Sequence, residues 1–307
     1  MGVDLSVSLG GARLANPVVT ASGCFGSGKE MSRFVDLHSL GAIVCKTVTP
    51  EPRLGISPPR GAETASGMLN AIGLQNPGVE AFRENDLSWL AEREVPAIAS
   101  VGGHSVADYV RCVEVLRGST GLIAIELNLS CPNLEDRGFM FALSAERTAE
   151  VVAAARAASD VPIFTKLSPD VTDLVAIAEA AAAAGTDGLS LINTTLGMAI
   201  DTRTFRAKLS TGTGGLSGPA IKPIAVRCVW QVHRALPHVP IIGMGGIAGV
   251  DDAIEMILAG ATAIAIGTAN FYEPAVSEQI ARGIADFCEL RGITSLDEIR
   301  GQVKEEG

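Results

Sequence analysis

The chain of 307 residues is 47% hydrophobic but only 4% aromatic, so Ala, Val, Ile and Gly must do the packing, as in buried parallel strands covered by small-residue helices. That length buries enough apolar surface to fold without a metal or disulfide staple. The six cysteines (Cys24, Cys45, Cys112, Cys131, Cys228, Cys288) form no C-x-x-C pair, against zinc ribbons, iron–sulfur sites and a secreted disulfide framework, and a formal charge of −10 argues against nucleic-acid and anionic-membrane binders.

The chain opens directly into sequence that reads as structure, with no basic-then-apolar leader and no apolar run near the roughly 20 residues of a membrane span. A cytoplasmic protein with reduced thiols is expected. In chain order, residues 5–9 and 13–14 around Gly10-Gly11 predict a small hairpin at the bottom of the fold. Short Val/Ile/Ala runs then predict strands over 18–21, 42–47, 97–101, 124–129, 163–167, 188–192, 241–244 and 263–266. Helical patterns fall over 106–116, 145–157, 172–184, 219–234, 250–258 and 275–290, with Ser144 and Thr172 at N-cap positions and Gly185 and Gly260 at C′ positions.

Eight strands, nearly all followed by helices, with no linker or shift in composition, predict one α/β domain over 1–307: a (β/α)8 TIM barrel. An open doubly wound sheet would want a G-x-G-x-x-G at an early strand–helix turn, and none is present. Two connections, 48–77 and 194–218, are too long for simple loops and follow the C-terminal ends of predicted strands, where barrel active sites are built.

The seventh strand ends in Gly243-Met244-Gly245-Gly246 and the eighth in Gly267-Thr268. Loops at these two places often cradle a phosphate with backbone N–H groups, and glycine lets the anion approach them. Tight turns with no ligand are the bland alternative, and many phosphorylated ligands remain open, FMN among them.

The fourth strand ends in Glu126-Leu127-Asn128-Leu129-Ser130-Cys131-Pro132-Asn133. Alternation sends Glu126 and Asn128 to one side, and Pro132 holds Cys131 extended at a loop start. Lone cysteines are mostly inert packing, but the neighbours of Cys131 are polar, and a thiol with a pKa of about 8.5 can act as a base. Lys46 and Lys166 each end an apolar strand. Buried there, an ammonium needs an anionic partner, and a reduced flavin offers one. Asn70, Asn128 and Asn193, with Thr194 beside the last, supply donors and acceptors suited to a planar ring such as a pyrimidine.

Taken together, these residues resemble class 1 dihydroorotate dehydrogenases over nearly the whole chain, in the stretches 128–133 and 64–78. Pro58-Pro59-Arg60 and Leu134-Glu135-Asp136-Arg137-Gly138 are similar to the 1B branch, the catalytic FMN subunit. The resemblance implies oxidation of dihydroorotate to orotate in pyrimidine biosynthesis. Cys131 would be the base at C5, with hydride leaving C6 for flavin N5, and Lys166 would stabilise the reduced flavin.

The same resemblance implies FMN contacts from Ser22, Lys46, Thr47, Asn128, Lys166, Ile192, Gly218, Gly245, Gly246, Gly267 and Thr268. It implies an orotate site from Lys46, Asn70, Ala71, Ile72, Gly73, Leu74, Asn128, Asn193 and Thr194. Ser100 stands where the family usually places an FMN-touching asparagine. A homodimer within a heterotetramer is implied, together with a partner subunit carrying FAD and [2Fe–2S] that passes electrons to NAD. The rivals are a fumarate-dependent 1A enzyme, an FMN-dependent dihydropyrimidine dehydrogenase and, remotely, a non-catalytic phosphate-binding barrel.

Overall fold

Strands covered on both faces can carry apolar residues at every position, which is why the short Val/Ile/Ala runs do not alternate. In the computed structural model, which describes residues 3–129 and 141–304, those runs are the staves of one barrel. They are β1 (Val18–Thr20), β2 (Ile43–Val44), β3 (Ala97–Val101), β4 (Leu122–Asn128), β5 (Ile163–Lys166), β6 (Gly188–Leu191), β7 (Ile241–Met244) and β8 (Ala263–Ile266). All neighbours are parallel, running from β1 through β8, β7, β6, β5, β4 and β3 to β2. The ring closes between β2 and β1 through a Val19–Ala42 bridge. There the Thr20 hydroxyl accepts from Val44 N–H (3.0 Å) and donates to its carbonyl.

The helices fall where the 3.6-residue patterns put them, with Val106–Leu116 and Val250–Leu258 matching to the residue. Ser144 caps Ala145–Ala158 as expected, but Asp173, not Thr172, caps Leu174–Ala183, its carboxylate accepting from Ala176 N–H at 3.0 Å. Gly185 (φ 95°) and Gly260 (φ 121°) lie just beyond helix C-termini in backbone that favours glycine. The expected 219–234 helix divides into a 3₁₀ turn, Pro219–Ile221, and the α-helix Lys222–Ala235, whose first turn accommodates Pro223.

The hairpin Val7–Leu9/Ala12–Leu14 packs its Gly10 turn against Pro162 and Asp187, at the N-terminal ends of β5 and β6. It therefore covers the bottom of the barrel, as expected. Arg156 braces that end, donating to Asp187 (2.6 Å), Val161 O and Ser159 O.

The two long connections are where the sequence reading falls short. They contain strands Gly61–Thr64, Gly67–Asn70, Thr195–Met198 and Thr213–Ser217, joined in one antiparallel sheet in which Thr213–Ser217 pairs with both Gly67–Asn70 and Thr195–Met198. This sheet covers its own small core of Leu69, Ala71 and Leu209 above the C-terminal rim. Asn76 fastens it to the barrel: its Oδ1 accepts from Thr49 and Gly78 N–H, and its Nδ2 donates to Thr49 Oγ1 and Leu74 O. A helical run from Val79–Phe82 to Ser88–Ala91, absent from the sequence reading, then leads into β3. Among the described residues no helix is long and apolar enough to cross a membrane.

Close packing makes the barrel intolerant of added volume. Gly188 sits opposite the buried Phe164 in β5, and a Cβ there would overlap the ring. Gly188→Ala is expected to cost about 1–3 kcal/mol, read as a lower urea midpoint with unchanged m-value.

Candidate functional site

Closure brings the C-terminal ends of all eight strands to one rim, so residues far apart in sequence line a single trough. A cavity of about 220 Å³ lies at the β7–β8 side and another of about 300 Å³ beneath the antiparallel sheet. Ser22, Cys24, Lys166, Asn193, Thr194, Ser217 and Thr268 line both, so the two are continuous. Together they fall within the roughly 300–1,000 Å³ typical of small-molecule sites.

The first cavity collects Gly245, Gly246, Gly267 and Thr268 of the expected phosphate loops, together with Ile192 and Gly218, two further residues of the expected FMN set. Gly245 (φ 120°) and Gly246 (φ 78°) adopt backbone that side chains disfavour, and a Cβ on Gly246 would run into Lys222, 2.6 Å from its Cβ and 2.7–2.8 Å from its backbone. Glycine is thus required by loop-against-helix packing as well as by access to the amides. Lys222 ties this loop down, donating to Asp252 and Glu255 at 2.7 Å each, while Asp252 also accepts from Ala248 N–H. The two carboxylates hold the Lys222 ammonium above its ordinary range.

The second cavity collects Lys46, Thr47, Asn70, Ile72, Gly73, Leu74 and Asn128. The predicted strand 42–47 is shorter than expected, and the reason bears on the site. Ile43 and Cys45 donate to Pro96 and Ile98 carbonyls two residues apart, but the next donor to β3 is Val48, to Ser100 O. One extra residue is therefore inserted, and Lys46 N–H turns to Gly26 O instead. Such a bulge lets consecutive residues, Lys46 and Thr47, face one cavity where strict alternation would allow only one.

Below the rim runs a chain of buried polar groups. Asn128 Nδ2 donates to Thr47 Oγ1 (3.1 Å), Thr47 Oγ1 lies 2.9 Å from Ser100 Oγ, and Ser100 donates to Glu126 Oε1 (3.1 Å). Glu126 is fully buried, and its Oε1 lies 3.9 Å from Nζ of the buried Lys166, which also donates to Ser22 Oγ at 3.3 Å. The Tyr109 hydroxyl donates to Asn128 O (2.9 Å), bracing the strand end three residues before Cys131. Cys131 itself, the expected base, lies outside the described residues, as do Ser130, Pro132 and Asn133.

Two expected contacts are placed elsewhere. Ser100, fully buried, lies behind Thr47 and lines neither cavity, because its hydroxyl is turned to Glu126. Ala71, also fully buried, points into the small core under the antiparallel sheet. Cavity residues not singled out from sequence include Cys24, Met68, Ser217, Phe271 and Tyr272. Cys24 and the Phe271-Tyr272 pair lie just past β1 and β8, so the strand-end rule could have found them; Met68 and Ser217 belong to strands hidden in the long connections. Burial pushes the Cys24 thiol up, against the opposing pull of the Lys166 and Lys46 ammoniums.

A closed parallel barrel with a glycine cradle after its last two strands, opening onto a cationic, amide-lined trough, defines the class of barrel enzymes that hold a phosphorylated cofactor beside a small polar substrate. The chain belongs to the dihydroorotate dehydrogenase family, whose profile matches residues 4–288. It is 48% identical over 299 residues to the catalytic subunit of dihydroorotate dehydrogenase B (NAD(+)) of Listeria innocua, covering 97% of this chain and 98% of that one. The protein of the same name from Latilactobacillus sakei is 53% identical over 288 residues, covering 93% and 94%. In fold it is similar to the dihydroorotate dehydrogenase of Eimeria tenella solved with ferulenol: TM-score 0.83 at 23% identity, over 97% of this chain and 88% of that one.

The Asn76 amide is fully used in holding the 70–78 segment against the cavity. Asn76→Ala strands those backbone partners and is expected to cost about 1–3 kcal/mol. Limited proteolysis should then cut residues 50–78 faster than in the wild type.

Proposed function

We propose that this chain oxidises dihydroorotate to orotate in pyrimidine biosynthesis, as the cytoplasmic catalytic subunit of an NAD-linked, 1B-type enzyme. The observation that carries the reading is the meeting of Lys46, Asn70, Asn128, Lys166 and Asn193 on one continuous trough beside the glycine cradle. The trough also fits FMN: among the described residues Asn128 Oδ1 is a buried acceptor with no hydrogen-bond partner, on a residue that lines the cavity. When bound, FMN supplies the hydride acceptor.

The chain's own residues do the rest. Amides of the 245–246 and 267–268 segments would hold the FMN phosphate, and Ser22, Thr47, Ile192 and Gly218 would contact the cofactor. Lys166 would supply positive charge to stabilise the reduced cofactor, the type of preorganised electrostatic stabilisation that lowers barriers most. Lys46 meets the substrate carboxylate, and Asn70, Asn128, Asn193 and Thr194 present donors and acceptors to the pyrimidine ring. The backbone of residues 71–74 shuts this end from solvent, and Cys131 takes the C5 proton. The relatives' names support the NAD branch over a fumarate-dependent enzyme. The same reading gives this chain a homodimeric form and a partner subunit that would hold FAD and [2Fe–2S] and carry electrons on to NAD⁺.

Absorption spectra test cofactor and substrate together: the purified protein should be yellow and should bleach when dihydroorotate is added anaerobically. A colourless protein that takes up no FMN refutes the proposal. Cys131→Ala should keep its flavin yet lose roughly 10²–10⁴-fold in the rate of bleaching, and an unchanged rate would remove the thiol base. The isolated chain should reduce artificial acceptors but not NAD⁺, which steady-state assays without a second subunit will show.

A further inference from the structure

Glu126 is a buried carboxylate that the proposed chemistry does not use. Its surroundings give it a direction. An ionised carboxylate only accepts hydrogen bonds, so the single Ser100 proton goes to Oε1, as the 3.1 Å contact shows. Ser100 Oγ is then left as an acceptor for Thr47, 2.9 Å away, and Thr47 Oγ1 becomes the acceptor for Asn128 Nδ2 at 3.1 Å. Every donor in the relay points toward Glu126. The far end of the Asn128 amide, Oδ1, is consequently turned away from the relay and has no hydrogen-bond partner among the described residues. The same oxygen that accepts from Ser100, Glu126 Oε1, lies 3.9 Å from Lys166 Nζ, with both side chains 5% exposed or less. A desolvated ammonium is tolerated only beside an anion.

We propose that Glu126 is a positioning residue. Its buried negative charge holds Lys166 and sets the polarity of the Ser100–Thr47–Asn128 relay, so that Asn128 presents a carbonyl oxygen, not an NH₂ group, to the bound ring. The inference rests on the proposed function for what occupies the trough, but the ion pair can be tested without it. A glutamine can donate to Ser100 as well as accept, so Glu126→Gln frees the relay to reverse and removes one negative charge beneath the site.

Two experiments separate the parts. In the apoprotein, urea unfolding of Glu126→Gln, Lys166→Met and the double variant should be non-additive, the double being no less stable than the weaker single; additive losses overturn the pairing whether or not flavin binds. In the FMN-loaded protein, Glu126→Gln should raise the flavin midpoint potential by tenfold or more in the ratio of reduced to oxidised binding, ~30 mV for a two-electron couple. Glu126→Asp, which keeps the charge, should return it toward the wild type. A merely structural glutamate would lower the unfolding midpoint and leave the potential unmoved, and that result overturns the proposal. Ser100→Ala cuts the relay but keeps the charge. It should leave the potential near the wild-type value while weakening orotate binding about tenfold in spectral titration, and unchanged orotate affinity overturns the relay. Wild-type protein that takes up no flavin counts against the functional reading alone, since the apoprotein cycle still decides the pair.

Discussion

A lysine ammonium sits at the mouth of an apolar barrel, and the chemistry of the rim follows from how that charge is kept there. Lys166 closes β5 with its side chain only 5% exposed, next to a glutamate that is wholly buried. Moving either charge from water into such surroundings costs several kcal/mol, and removing one partner is worse than removing both. The pair therefore contributes little net stability. What it supplies is a fixed positive charge with a defined position, and a string of hydroxyls and an amide ordered by the negative one. The barrel below is apolar, so the polar groups collect in a band at the C-terminal end, where the trough begins.

The antiparallel sheet over that band is built from two connections that would otherwise be floppy. Pairing Gly67–Asn70 with Thr213–Ser217 gives each a partner and ties them to the rim, with Asn70 Nδ2 donating to Gly215 O across 145 residues of chain. Further anchors act from the barrel side. Asp170, just past β5, accepts from Leu196 N–H at 2.8 Å and from the Thr195 hydroxyl, and Asn76 locks the 70–78 segment. Side chains on paired strands hold position better than side chains on open loops, and Asn70 and Ser217, which line the trough, stand on such strands. At the opposite end of the trough the Lys222–Asp252–Glu255 cluster does the same for the glycine cradle.

Sequence alone determined the barrel, because alternating short apolar runs and 3.6-residue patterns are local signals that each segment carries by itself. It also determined most of the rim. A strand's C-terminal end is recognisable wherever an apolar run gives way to polar residues, as at Lys46, Asn128, Lys166, Asn193 and the glycines after β7 and β8. Only the tertiary structure decided the rest. The strands at 61–70 and 195–217 have weak local patterns and exist because they pair with each other over a closed barrel. The Ser100 hydroxyl lies between Thr47 and Glu126, and Thr47 faces the cavity at a bulge one strand away. Register, cross-strand neighbours and the merging of two cavities arise from contacts between distant segments, and no window of sequence contains them.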